Sequence, residues 1–228
     1  MKTFQNSLKV TFLFLLLSAP AIQAGQDING KPLPHFLFPS FREGRVLMKD
    51  GTSFTTKLNY HMVDEMMITE VDGKYRYSKD PKLIDTIYLE NRIFVPVGNK
   101  FYEVLAKGPV TIFLQNRSNF TPVGADIGYG AKSKSVGKTA YQRFELVDVI
   151  AQYGEVAYME IPPNSEVTPA SVFWVRKDGS FEKFSNEKQF LKVFPGSEAR
   201  IKEFIKKERI NMKSPAGLAK LGKFCNSL

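Results

Sequence analysis

Gly44-Arg45-Val46-Leu47-Met48-Lys49-Asp50-Gly51 followed by Ser53-Phe54-Thr55-Thr56-Lys57-Leu58-Asn59-Tyr60-His61-Met62 is the stretch whose reading decides the fold class. Residues 53–62 alternate strictly. Phe54, Thr56, Leu58, Tyr60 and Met62 fall on one side, and Ser53, Thr55, Lys57, Asn59 and His61 on the other. Successive side chains of a strand point to opposite faces, so the pattern predicts a half-buried strand with a dry face and a wet one. Asp50-Gly51 is a pair that tolerates the positive φ angles of a type I′ hairpin turn, which makes residues 45–49 the partner strand.

Outward from this hairpin the same grammar repeats. Residues 65–71 and 75–77 read as strands around Asp72-Gly73, and Asp80-Pro81 breaks the run. Residues 84–89 and 92–97 are strands joined by Glu90-Asn91, where Asn is the residue expected to accept left-handed geometry. Gly98-Asn99 turns the chain into strand 100–105, and Gly108-Pro109 into strand 110–115. Residues 141–150 and 155–161 carry weaker strand patterns. Asp178-Gly179 joins a last hairpin, 170–177 with 180–184. Six to eight short strands joined by hairpins predict an antiparallel meander: a sandwich, an open barrel or one long curled sheet.

Past residue 184 the apolar period becomes helical. Phe190, Leu191 and Phe194 share one face of a helix begun at Ser185, and Ser197 is placed to cap a helix facing inward through Ile201, Phe204 and Ile205. Ser214-Pro215 is an N-cap with proline at the first helical position, ahead of Leu218, Leu221, Phe224 and Cys225. The fold class expected is α+β, mainly β, with residues 25–184 as an antiparallel β domain and 185–228 as a helical appendage. Residues 116–139, rich in glycine and carrying Lys132, Lys134 and Lys138, are expected to form a long basic loop.

Residues 1–24 read as a signal peptide. Lys2 and Lys9 precede a short apolar core at residues 10–17, and small residues follow up to Ala24, with Ala21 as a second possible cleavage point. The apolar run is short of the roughly 20 residues that span a bilayer, so no transmembrane helix is expected in the mature chain. The expected location is outside the cytoplasm: periplasm, cell envelope or extracellular space. Cys225 is the only cysteine, which excludes an internal disulfide and leaves stability to burial. The chain carries 32 Lys and Arg against 23 Asp and Glu, an excess far below that of a nucleic-acid packaging protein.

Several chemistries fail on spacing. Gly130 to Thr139 ends in Gly-Lys-Thr like a phosphate-binding loop, but Lys132 stands where the first glycine is required. His61-Met62 with Met66-Met67 offers imidazole and thioethers of the kind that suit copper, yet alternation separates His61 from Met62, and methionine is ordinary core filler. Asp64 and Glu65 are adjacent, so on a strand they point apart and cannot flank one substrate. The two histidines, His35 and His61, lie in no recognisable hydrolase context. Cys225 sits in the apolar stripe of a helix, as an inert buried thiol does. Neither a metal nor a cofactor is expected.

Charge is the remaining feature. From Arg176 to Lys223 there are 13 Lys and Arg against 6 Asp and Glu. Glu198 with Lys202 and Glu203 with Lys207 have i, i+4 spacing, so a solvated, self-paired helix face accounts for part of the charge. The functional alternative is that Lys206, Lys207, Arg209 and Lys213, with Lys132, Lys134 and Lys138, contact an anionic partner: a protein, an acidic glycan or an anionic lipid surface. No recognised motif for nucleic acid accompanies them.

Gly44-x-Val46-x-x-Lys49-Asp50-Gly51, Leu58-Asn59-Tyr60, Ile84-Asp85-Thr86 and Phe94-Val95-Pro96-Val97, with the Lys-, Phe- and Ile-rich tail, give the chain its resemblance. It resembles uncharacterised exported β-rich proteins of Bacteroidetes-type bacteria. The resemblance spans most of the mature chain and implies location and architecture, with no activity and no catalytic residues to carry over. The function expected is therefore that of an exported, non-enzymatic envelope protein acting by binding or structural association. The alternative is a carboxylate-dependent hydrolase of envelope or extracellular polymers.

Overall fold

A computed structural model describes residues 34–72, 74–78, 80–122 and 165–228. In chain order they form β1 (Arg42–Met48), β2 (Ser53–His61), β3 (Met66–Val71), β4 (Lys74–Tyr77), a 3-10 turn (Pro81–Leu83), β5 (Ile84–Leu89), β6 (Arg92–Val97), β7 (Lys100–Ala106), β8 (Thr111–Gln115), β9 (Ser118–Pro122), β10 (Ser165–Pro169), β11 (Val172–Lys177) and β12 (Ser180–Phe184). Three helices follow, α1 (Glu187–Leu191), α2 (Glu198–Lys207) and α3 (Pro215–Cys225). Ten of the strands make one sheet in the order β12-β11-β8-β7-β6-β5-β1-β2-β3-β4, every described neighbour antiparallel. Of the three meander forms expected, the chain adopts the single long sheet, mainly β within α+β.

The sheet curls without closing. The turn between β2 and β3 reaches back to β7, where the Phe101 N–H donates to the Glu65 carbonyl at 3.0 Å. The Tyr60 hydroxyl donates to the Phe101 carbonyl at 2.8 Å. Curling makes the face carrying Leu58, Tyr60, Met67, Ile87, Leu89, Phe94 and Phe101 the inside of a trough, and these side chains form one core with Val46 and Phe38. A second core lies under the helices, where Ala106, Ile112, Val175 and Phe184 meet Phe190, Ile201, Ile205, Leu218 and Leu221. The contact is closest at Gly222, where an added Cβ would stand 2.4 Å from that of Ala106, so only glycine lets α3 lie this near the sheet. Among the described residues no helix is long and apolar enough to cross a membrane.

Capping chemistry sets the helix ends. Ser214 accepts from the Gly217 N–H ahead of α3, with Pro215 at the first position. Asn186, rather than Ser185, caps α1 by accepting from the Gln189 N–H, and Gln189 in turn holds Ser185. Ser197 precedes α2 without a side-chain cap bond. The i, i+4 pairs expected along α2 do not close; Glu208 instead takes Lys220 from α3.

Several local expectations are corrected. The alternation of β2 holds in register, Lys57 opposite Glu70 and Tyr60 opposite Met67, but its wet face is not wet throughout. Asn59 and His61 are buried, while Phe54 on the nominally dry face is 49% exposed. Asn59 is buried because residues 35–38 continue the ladder beyond β1. The Leu37 N–H donates to the Tyr60 carbonyl and the Met62 N–H to the His35 carbonyl. Beyond them, at Phe38, the partner is the side chain of Asn59 in place of its backbone. The Asn59 amide fills the gap, accepting from the Phe38 N–H at 3.2 Å and donating to its carbonyl at 3.0 Å. Phe54 is exposed because β2 outruns β3, whose pairing reaches only to Lys57. Asp50 keeps a negative φ, so its turn is not type I′; Gly51 alone is left-handed, at φ 86. Asp178 and Gly179 are both left-handed, at φ 50 and 80. At the β5–β6 turn Glu90 carries the positive φ, in place of Asn91. The expected loop 116–139 begins with β9, which pairs with β10 as a separate two-stranded sheet. The signal peptide 1–24, the strands 141–150 and 155–161, and Lys132, Lys134 and Lys138 lie outside the described residues.

The role of Asn59 sets an expected outcome. Asn59→Ala leaves a buried N–H and a buried carbonyl of Phe38 without partners, which costs about 1–3 kcal/mol. Chemical denaturation checks it; a loss below about 0.5 kcal/mol, the size of a surface change, would mean that water replaces the amide.

Candidate anion-binding groove

Where the trough meets the helix-covered half of the sheet, an open groove of about 640 Å³ runs over the concave face. Its deepest residues are Leu114 of β8 and Phe184 of β12, with Phe173 of β11 stacked on Phe184 at 5.9 Å between ring centroids. These three share a face because Phe173 stands opposite both Leu114 and Phe184 in the ladder. Pro215 adds apolar surface, and Ser171, Val172, Ser185 and Asn116 complete the described lining. Arg92, Lys183 and Lys213 are the charged residues of the lining, and no carboxylate is among the described lining residues.

The three cations are not equivalent. Arg92 opens β6, and its guanidinium forks onto Glu103 of β7, with Nε 2.8 Å from Oε1 and a second nitrogen against Oε2. Asn116 closes the triangle, donating to Glu103 Oε2 at 2.9 Å. Such a planar, bidentate pair fixes Arg92 and neutralises it. Lys183, on the outermost strand of the sheet, and Lys213, just before the α3 cap, are exposed and form no ion pair among the described residues. Lys183 stands opposite Trp174, on the sheet face away from Phe173 and Phe184, and so borders the groove from its edge strand, while Lys213 lines it from the segment before α3. The groove's volume lies within the roughly 300–1,000 Å³ of small-molecule sites. A neighbouring hollow of about 550 Å³ shares Lys183 but is lined by Asp178 and Glu182 as well, so its charge is mixed.

Other buried polar groups serve the fold. Glu65 is 3% exposed at a left-handed φ of 60. Its carboxylate takes the Lys100 ammonium on one oxygen and the Gln115 amide on the other, and Gln115 accepts from Trp174 Nε1 at 2.9 Å. This chain of partners ties the β2–β3 turn to β7, β8 and β11. Cys225 is buried, which pushes its thiol pKa up to about 12, so the thiolate that would make it reactive is absent near neutrality.

A third cluster stands behind the trough. His61 Nδ1 lies 2.9 Å from Asp64 Oδ2, Tyr77 donates to the same oxygen, and the His35 ring packs edge-on against His61 at 4.9 Å. Burial opposes ionisation of Asp64. The hydrogen bond and charge of His61 and the Tyr77 hydroxyl outweigh it and hold the carboxyl below its ordinary range. A carboxyl depressed in the folded state contributes stability above its unfolded pKa and loses it as pH falls through the folded one. Asp64→Asn is therefore expected to destabilise near neutral pH, and its difference from wild type should shrink as pH drops below about 4. Denaturation at a series of pH values measures this; a difference that is flat with pH would remove the charge from the account. Among the described residues no group of three or more His, Cys, Asp or Glu is arranged to hold a metal ion.

Of the candidate binding residues, Lys213 lines the groove. Lys206 and Lys207 lie in the last turn of α2 and Arg209 just beyond, all exposed and away from the groove's lining. Cations in a last turn also complement the helix dipole, which gives Lys206 and Lys207 an ordinary structural role. Arg92 and Lys183 are the residues that sequence reasoning missed. No family model, curated protein or solved structure matches the chain. The groove must therefore be read from its own chemistry. In the final hairpin Lys183 stands opposite Trp174 and Phe184 opposite Phe173, so alternation alone turns Lys183 to the other face, and only its place on the edge strand brings it to the groove.

Proposed function

We propose that this chain is an exported binding protein of the cell envelope, non-enzymatic, and that the groove between trough and helices takes an anionic ligand. The observation that carries the reading is a concave groove whose described lining includes Arg92, Lys183 and Lys213 and no carboxylate. Cations without protein partners in a concavity attract anions more strongly than the same charges on a convex surface, because the low-dielectric walls focus the field. The buried glutamates Glu65 and Glu103 each hold a cation and an amide, so their carboxylates are committed to the fold rather than presented to a substrate. Export and envelope location follow from the N-terminal sequence and accord with the resemblance noted above.

Equilibrium binding to oligogalacturonate and cosedimentation with anionic vesicles test the reading. Lys183→Gln with Lys213→Gln is expected to weaken association at least tenfold, and Lys206→Gln with Lys207→Gln less than twofold. Binding should also fall between low and physiological salt, where exposed charges are screened beyond about 8 Å. If the α2 pair proved the sensitive one, the partner would be an extended surface on the helix and the groove reading would be wrong.

A further inference from the structure

Arg117 is a half-buried cation that the fold leaves unpaired. Its Nε is buried with no hydrogen-bond partner, and its guanidinium forms no ion pair among the described residues. A buried N–H without an acceptor is costly, and a buried charge without a counter-charge more so. The side chain therefore calls for an acceptor from outside the fold. The ladder sets where that acceptor stands. Gln115 faces Val172, the Ala170 N–H donates to the Arg117 carbonyl, and Ser118 stands opposite Pro169. One register thus runs from β8 into β9, and alternation puts Arg117 on the face of Phe113 and Gln115, opposite the helices. Tyr102 shares that face, because its neighbour Glu103 stands opposite Leu114 on the other. Trp174 joins them from β11, opposite Phe113.

Around Arg117 this face suits a flat monoanion. Trp174 is half-buried, with its Nε1 fixed on Gln115 Oε1 at 2.9 Å and its ring stacked on Phe181 at 4.9 Å between centroids. The Tyr102 ring lies 6.2 Å from it. Burial and the Glu65 carboxylate raise the Tyr102 pKa, which keeps its hydroxyl a proton donor. The Arg117 charge acts on it in the opposite sense, so guanidinium and hydroxyl stand within electrostatic reach of each other. Glu65 is already matched by Lys100, which leaves the cluster the single positive charge of Arg117. A planar carboxylate fits a guanidinium fork, whereas a phosphate dianion carries one charge more than the cluster offsets. We infer that Arg117 and Tyr102 bind the carboxylate of a small aromatic acid whose ring lies against the Trp174 indole. The site is on the other face of the sheet from the groove and does not depend on the groove reading.

Trp174 is the chain's only tryptophan, so its fluorescence in the full chain reports occupancy. Titration with benzoate should change that emission and saturate, with calorimetry giving the same affinity. Acetate, galacturonate and phenyl phosphate should each bind at least fivefold more weakly, and benzyl alcohol not at all. Arg117→Gln should weaken benzoate about tenfold or more, and Tyr102→Phe about two- to tenfold, the ranges of a charged and a neutral hydrogen bond. Arg117→Gln should not lower the urea midpoint, since the fold gives that charge no partner; a lowered midpoint would assign Arg117 to the fold and overturn the site. Lys213→Gln, in the groove, should leave benzoate affinity within twofold. Acetate or galacturonate binding as tightly as benzoate would overturn the aromatic ligand. Benzoate binding that survives Arg117→Gln, or no binding at all, would overturn the site while leaving the groove untouched.

Discussion

Phe94→Ala is expected to cost about 3–5 kcal/mol, the range of a large aromatic removed from a core that cannot collapse around the gap. Phe94 is fully buried at the centre of the trough. It stacks on Tyr60 at 5.5 Å and meets Phe38 edge-on at 6.4 Å, and the Arg92 guanidinium lies 5.5 Å from its ring. Its neighbours are on β2, on the lead-in and on β6 itself, so one void loosens three segments that only the curl of the sheet brings together. Urea unfolding should show a lower midpoint with an unchanged slope, the mark of lost stability without a change in the surface exposed. A loss below 1 kcal/mol would mean that the trough is not the main core of this half.

Glu103→Ala is expected to cost about 3 kcal/mol, because it leaves the half-buried Arg92 guanidinium and the Asn116 amide without their acceptor. Removing both charges at once, with Arg92→Leu and Glu103→Leu, should be less damaging than the single change. Breaking a pair strands one charge, whereas replacing the pair by apolar groups does not. The same variant probes the groove. With Glu103 gone, Arg92 becomes an uncompensated cation among the lining residues, so oligogalacturonate should bind more tightly to Glu103→Ala that has been kept folded. A stability loss below 0.5 kcal/mol, or weaker anion binding, would contradict the role given to this pair.

The meander was legible because it is written locally. Alternation in residues 53–62, Asp178-Gly179, Gly98-Asn99 and the apolar triplet Val110, Ile112 and Leu114 each depend on residues a few positions apart. The burial of Asn59 and His61 was not legible, because it depends on a ladder made by residues 35–38. Nothing in an alternating strand says which chain will lie along its edge. The turn at Glu90 went the same way: a two-residue hairpin imposes a positive φ on its first position, and the demands of the strands override the preference of Asn91 for it. The last helix was placed correctly from Ser214-Pro215 and the spacing of Leu218, Leu221 and Cys225.

The groove was half legible. Lys213 stood out in a basic tail, but so did Lys206, Lys207 and Arg209, and charge density along a sequence does not distinguish a cation on an outer helix face from one at the rim of a concavity. Arg92 and Lys183 stand 91 positions apart in the chain. They meet one groove only because β6 and β12 belong to a sheet that curls.

The most direct test is a map of where an anionic ligand touches the molecule. Nitrogen-edited amide spectra of the mature chain titrated with oligogalacturonate should show their largest shifts at Ser171, Val172, Phe173, Phe184, Ser185 and Lys213, with residues 202–209 nearly still. Shifts concentrated on residues 202–209, or spread evenly over the exposed lysines, would contradict the groove as the binding site.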